Sequence, residues 1–130
     1  MEKQFIPKID FNLGSINFIF DKSNATHFLS KITDVEKGMK IEFELQKKNS
    51  IDRFLLSLII TDDNDFIFYK NAFVKIWISL DRVKYMRDQL SQFLLFDDFF
   101  SSEVGSFQRT NSEMLFSKKK TVDLYFIKEV

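Results

Sequence analysis

His27 is the single imidazole of the chain and cysteine is absent, so proton transfer near neutral pH has one candidate and thiolate or zinc–thiolate chemistry has none. A general base needs a partner that orients it, and no residue near His27 in sequence stands in a known catalytic arrangement. No Gly-x-Ser-x-Gly elbow presents a hydroxyl nucleophile. Gly14 and Gly38 are isolated, outside any phosphate-cradling run. Asp62-Asp63-Asn64-Asp65 offers carboxylates, but a calcium loop needs alternating ligands, a glycine and a later glutamate, and Phe66 and Phe68 stand where those belong. A solvated hairpin turn is the expected use of that run. The expectations are therefore no catalytic residue, no cofactor and no metal.

Two groupings suit recognition better. Asp97, Asp98 and Glu103 enclose Phe99 and Phe100 beyond an apolar helix stripe, and aromatics beside carboxylates in a long loop form an interaction patch. This is the expected protein-binding site. The alternative is a pair of lysine clusters, Lys47 and Lys48 followed by Arg53, and Lys118, Lys119 and Lys120. Flanking an aromatic-bearing sheet, these would hold single-stranded nucleic acid by phosphate contacts and stacking; otherwise they protect turns and strand edges from unwanted pairing.

The elements that must position these residues follow from periodicity. Ile9, Phe11 and Leu13 alternate with polar residues, and alternation resumes in shifted phase at Ile16, Phe18 and Phe20; a bulge at Gly14 within one long strand is favoured over a tight turn. Asn24 caps a short helix carrying Phe28, Leu29 and Ile32, or this stretch is a loop. Met39 to Gln46 alternates cleanly, Lys47 to Ser50 turns, and Arg53 to Thr61 is a denser apolar strand at the sheet centre. The acidic turn then leads to Phe66–Lys70, and a break at Asn71-Ala72 to Phe73–Ser79, giving a meander. Ser79 caps a helix from Leu80 to about Phe96, with Val83, Met86, Leu90, Phe93 and Leu94 as its apolar stripe and Asp81 in its first turn. A long loop containing Gly105 is expected to Ser112, then strands at Glu113–Ser117 and Thr121–Lys128. No internal repeat is legible.

These elements make an α+β domain: a largely antiparallel sheet of six or seven strands with one principal helix on its apolar face. The 130 residues fit a single domain over residues 1–130. Seventeen phenylalanines supply ample apolar surface for its core. Nineteen basic residues balance nineteen acidic ones, so no overall field draws in polyanions. No apolar run has the length of a signal peptide or a membrane span, and a cytoplasmic location is expected.

The segment from Phe73, Phe-Val-Lys-Ile-Trp-Ile-Ser-Leu-Asp-Arg-Val-Lys-Tyr-Met-Arg-Asp-Gln-Leu, together with Glu113-Met114-Leu115-Phe116 and Val122-Asp123-Leu124-Tyr125-Phe126, resembles small bacterial immunity proteins that neutralise contact-delivered toxins. That resemblance implies a non-enzymatic inhibitor covering a partner protein. The order of strands and helix also looks like Whirly-type single-stranded-DNA binders, which place a helix behind a curved antiparallel sheet. Neither resemblance assigns a role to a numbered residue.

Overall fold

The structure is a computed structural model that describes residues 6–12, 14–62, 65–109 and 120–130. It contains β1 (Lys8–Asn12), β2 (Ser15–Phe20), α1 (Lys22–Glu36), β3 (Ile41–Lys47), β4 (Arg53–Ile60), β5 (Phe66–Lys70), β6 (Phe73–Ile78), α2 (Leu80–Phe96), β7 (Glu103–Arg109) and β8 (Lys120–Lys128). The α+β class is as expected, but the sheet is mixed and has eight strands among the described residues, closed in the order β1-β2-β8-β7-β5-β6-β4-β3. Four antiparallel hairpins alternate with parallel contacts β2–β8, β4–β6, β1–β3 and β5–β7. The strand ends joined within each antiparallel pair therefore lie at one barrel end, and both helices leave from the other.

Several local expectations are corrected. Gly14, at φ 77°, turns the chain between the paired strands β1 and β2, so it makes a hairpin and not a bulge. The first helix is a full element. Asp21 is its cap, accepting from the Asn24 N–H, while the Asn24 side chain accepts from the Asp21 N–H; this reciprocal box stops both polar groups from competing with the helix. The strands on either side of the acidic run, β4 and β5, do not pair, because β6 inserts between them, so no hairpin is made there; Asp63 and Asn64 lie outside the described residues. The expected loop after α2 holds β7, whose alternation is broken by a register shift between Glu103 and Gly105. The proposed strand Glu113–Ser117 lies outside the described residues. The second helix runs over the expected span, with Ser79 accepting from the Arg82 N–H.

Two halves of the chain, each ββαββ, are related by an approximate two-fold axis. One constant shift in residue number carries Ile9, Phe11, Ile16, Phe18 and Phe20 onto Ile67, Tyr69, Val74, Ile76 and Ile78, and continues through Asp21 and Phe28 to Ser79 and Met86. Matching backbone bonds repeat the relation: Gln46 N–H to Pro7 C=O and Gln108 N–H to Asp65 C=O are both 3.0 Å. Likewise, Glu129 donates to Phe20 at 2.8 Å and Thr61 to Ile78 at 3.0 Å. The sequence hides this duplication because the halves share which positions are buried and hardly any residue types.

The core fills the barrel beneath the helices. Phe28 brings its ring edge-on to Phe18, Phe43 and Phe126 at centroid distances of 6.3, 5.2 and 6.2 Å, and tilts against Phe20 at 5.3 Å. The helices pack on one another, with Arg87 donating to Glu36 at 2.8 Å. At the hairpin end Phe11 lies 5.3 Å from Phe54 and 5.5 Å from Tyr69, over which the Arg109 guanidinium sits at 4.7 Å. Neither helix is long and apolar enough to cross a membrane.

Candidate protein-binding site at the end of the second helix

The α2 stripe is buried through Val83, Met86, Leu90 and Phe93, and then the helix stops. Asp97 adopts the left-handed conformation at φ 61°, and its N–H donates to the Phe93 carbonyl at 2.8 Å, closing the last turn. The following loop is held at several points. Lys128 donates to Asp97 at 3.1 Å; the buried Gln89 amide donates to the Ser101 and Glu103 carbonyls at 2.8 and 3.1 Å; Phe126 N–H donates to Ser102 C=O at 2.7 Å.

Phe99 folds inward. Its ring stacks on Phe93 at 4.5 Å with an interplanar angle of 5° and approaches Phe20 and Phe126 at 6.1 and 6.0 Å. It is an anchor of the loop and belongs with the core. Phe100 turns outward, 66% exposed, against Phe96 at 5.0 Å. Leu95 and Phe96 are 77% and 61% exposed beside it. Asp97 and Asp98, which follow Phe96 directly, are exposed, as is Glu103 at the start of β7.

The structure thus separates the two expected aromatics and adds two residues that sequence reasoning missed. A signal existed. Leu95 and Phe96 prolong the apolar run past Leu94 but stand off the stripe defined by Val83, Met86, Leu90 and Phe93, where a soluble helix ordinarily carries polar residues.

The alternative cationic site is partly described. Lys47 ends β3 and Lys48 follows it in the β3–β4 turn, both exposed, and Lys120 opens β8 at the same barrel end. Lys118 and Lys119 lie outside the described residues. His27 is exposed on α1, its ring 5.3 Å from that of Phe43. Among the described residues no group of three or more His, Cys, Asp or Glu could hold a metal ion.

Asp65 has a structural role. It accepts from Ser79 N–H at 2.8 Å and from Arg82 Nε at 2.6 Å, while Arg82 Nη1 donates to the Val104 carbonyl at 2.7 Å. Arg82 also explains Gly105: a Cβ there would lie 1.7 Å from Nη1, in a backbone with φ +154°.

Comparison with family models, with curated proteins and with solved structures found no match to this chain.

Proposed function

We propose that this protein is a non-enzymatic binding module, an inhibitor or immunity factor that covers the functional surface of a partner protein through Leu95, Phe96 and Phe100. The supporting observation is the exposure of these three large apolar side chains where α2 ends in Leu95 and Phe96 and passes into the loop bearing Phe100, a loop otherwise tied down by Phe99, Gln89 and Lys128. A rigid loop loses little conformational freedom on docking, so its apolar contacts translate more fully into affinity. Asp97 and Asp98 beside the patch favour a partner with an apolar pocket rimmed by basic groups, as on a cationic toxin domain. A second reading, binding of single-stranded nucleic acid, draws on the shared barrel end of Lys47, Lys48 and Lys120.

Quantitative capture from the native cell with wild type and with the triple variant Leu95→Ser, Phe96→Ser, Phe100→Ser tests the proposal. The expected result is a basic protein retained by wild type and depleted at least about tenfold on the variant, because truncating clustered aromatic anchors removes well over 1.4 kcal/mol. Equal retention by a variant with an unchanged circular dichroism spectrum would refute the patch.

A further inference from the structure

The two-fold relation supplies an internal comparison for the end of α2. Ala25, Ile32 and Val35 of α1 correspond to Val83, Leu90 and Phe93 of α2, all buried, so the shift of 58 in residue number that carries Ile9 to Ile67 holds to the last turn. Across β3 and β7 the shift is 62, from Gln46 to Gln108 and from Lys47 to Arg109. The second half therefore carries four more residues between these points. Two of them prolong the helix: α1 ends at Glu36, the counterpart of Leu94, whereas α2 runs on through Leu95 and Phe96. The others fall in the connection to β7 and in the bulge between Glu103 and Gly105. Since the first half joins the same elements without them, closure of the barrel does not require the extra residues.

The two helix ends have opposite chemistry. After α1 come Lys37 and Lys40, cations at the negative end of the helix dipole, and the left-handed residue is Gly38 at φ 85°. Three backbone bonds close that end, from the N–H groups of Lys37, Gly38 and Met39. After α2 come Asp97 and Asp98, the last turn holds no basic residue, and Asp97 takes the left-handed position. Among the described residues its closing backbone bond is the one from Asp97 N–H to Phe93 C=O, which leaves more of the last carbonyls to outside donors. Lys128 offsets the charge of Asp97, whereas the exposed Asp98 side chain has no hydrogen bond or ion pair among the described residues. The short connection exposes Met39 as its one large apolar residue; the long one follows Leu95 and Phe96 and exposes Phe100. Dipole, glycine preference and burial are respected at one end and violated together at the other. Local rules broken in one place without a gain to the fold mark a functional surface.

We propose that this extended helix end captures an arginine of the partner, presented between apolar residues. The guanidinium pairs with Asp98, donates to carbonyls of the last turn of α2 and lies against the rings of Phe96 and Phe100, whose centroids are 5.0 Å apart. Arginine suits the place better than lysine, because one planar fork serves a carboxylate, a carbonyl and a ring face together. The apolar residues beside it cover Leu95 and the outer faces of the rings. A cation here also relieves the repulsion between the carboxylates and the dipole, so complex formation recovers stability that the free helix end lacks. Arginine capture rests on the protein-binding reading of Leu95, Phe96 and Phe100, and names the group that reading leaves open.

Selection of a displayed library of random linear peptides on the full chain provides the probe. Wild type is expected to enrich sequences with an arginine flanked by apolar residues. The leading synthetic peptide should bind Asp98→Lys at least about tenfold more weakly. The thermal midpoint of that variant should nevertheless rise by about 1–3 °C, since a cation replaces a carboxylate at the negative end of the dipole. Lys37→Asp, the mirror exchange at the end of α1, should lower the midpoint by a similar amount and leave peptide affinity unchanged. A change that merely loosened the loop could not raise stability and weaken binding together. Failure to enrich a peptide, enriched peptides without a cation, wild-type affinity in Asp98→Lys or a lower midpoint in that variant each overturn arginine capture. If Leu95→Ser, Phe96→Ser, Phe100→Ser loses the peptide while Asp98→Lys keeps it, the patch stands and only the captured cation falls. Peptide binding indifferent to both variants removes the patch as well.

Discussion

Replacing Phe28 with alanine is expected to destabilise the protein by about 3–5 kcal/mol, the largest loss from any single truncation considered. Its fully buried ring touches residues from β2, β3 and β8, so it joins α1 to strands of both halves. Removing it leaves a cavity among Phe18, Phe20, Phe43 and Phe126, and stiff aromatic walls collapse poorly. For a chain of this size the thermal midpoint should fall by about 10–20 °C. Calorimetry showing a loss below about 1 kcal/mol would mean that α1 does not seat in the barrel as described.

Asp65→Ala should cost about 2–4 kcal/mol, although Asp65 belongs to the run that sequence reading assigns to a solvated turn. The carboxylate is only 12% exposed and has two partners. Without it the Ser79 N–H at the start of α2 loses its acceptor, and the Arg82 guanidinium, 31% exposed, keeps only a carbonyl and the Phe107 ring at 5.5 Å. Urea unfolding checks the effect. Asp65→Asn retains one acceptor and should lose less, so a ranking with asparagine equal to alanine would contradict the paired role of the two oxygens.

The contrast between Phe28 and Asp65 marks what was legible in the sequence. Alternation in Met39–Gln46 and the three- and four-residue steps of α2 are local signals set by burial; α2 appears where expected, while the strand starts at Ile41 and leaves Met39 exposed before it. Phe28 and Ile32 were readable as the apolar side of a helix, but the cap lay at Asp21, because Asn24 serves Asp21 from within the first turn. Pairing is a different matter. Nothing local to Asp62–Asp65 distinguishes a hairpin from a crossover, since the choice depends on β6 being the better neighbour for both strands. The expected meander failed for that reason, and closure of the barrel was equally invisible. Its two seams rest on pairings as short as Lys8 with Gln46 and Phe66 with Gln108 and their immediate neighbours.

The candidate site shows the same division. Composition located an acidic-aromatic segment, but whether each ring points in or out was decided by the left-handed Asp97, which reverses the chain so that Phe99 returns to Phe93 while Phe100 stays with Phe96. Two adjacent phenylalanines consequently have opposite roles. One orders the loop, and the other is available to a partner.

Calorimetric titration of the partner retained by wild type into Phe100→Ala and Phe99→Ala tests that division most directly. Phe100→Ala is expected to weaken binding at least about tenfold with an unchanged thermal midpoint, as for an exposed anchor. Phe99→Ala is expected to lower the midpoint by several degrees, as for a ring packed on the core. Wild-type affinity in Phe100→Ala would contradict recognition through this surface.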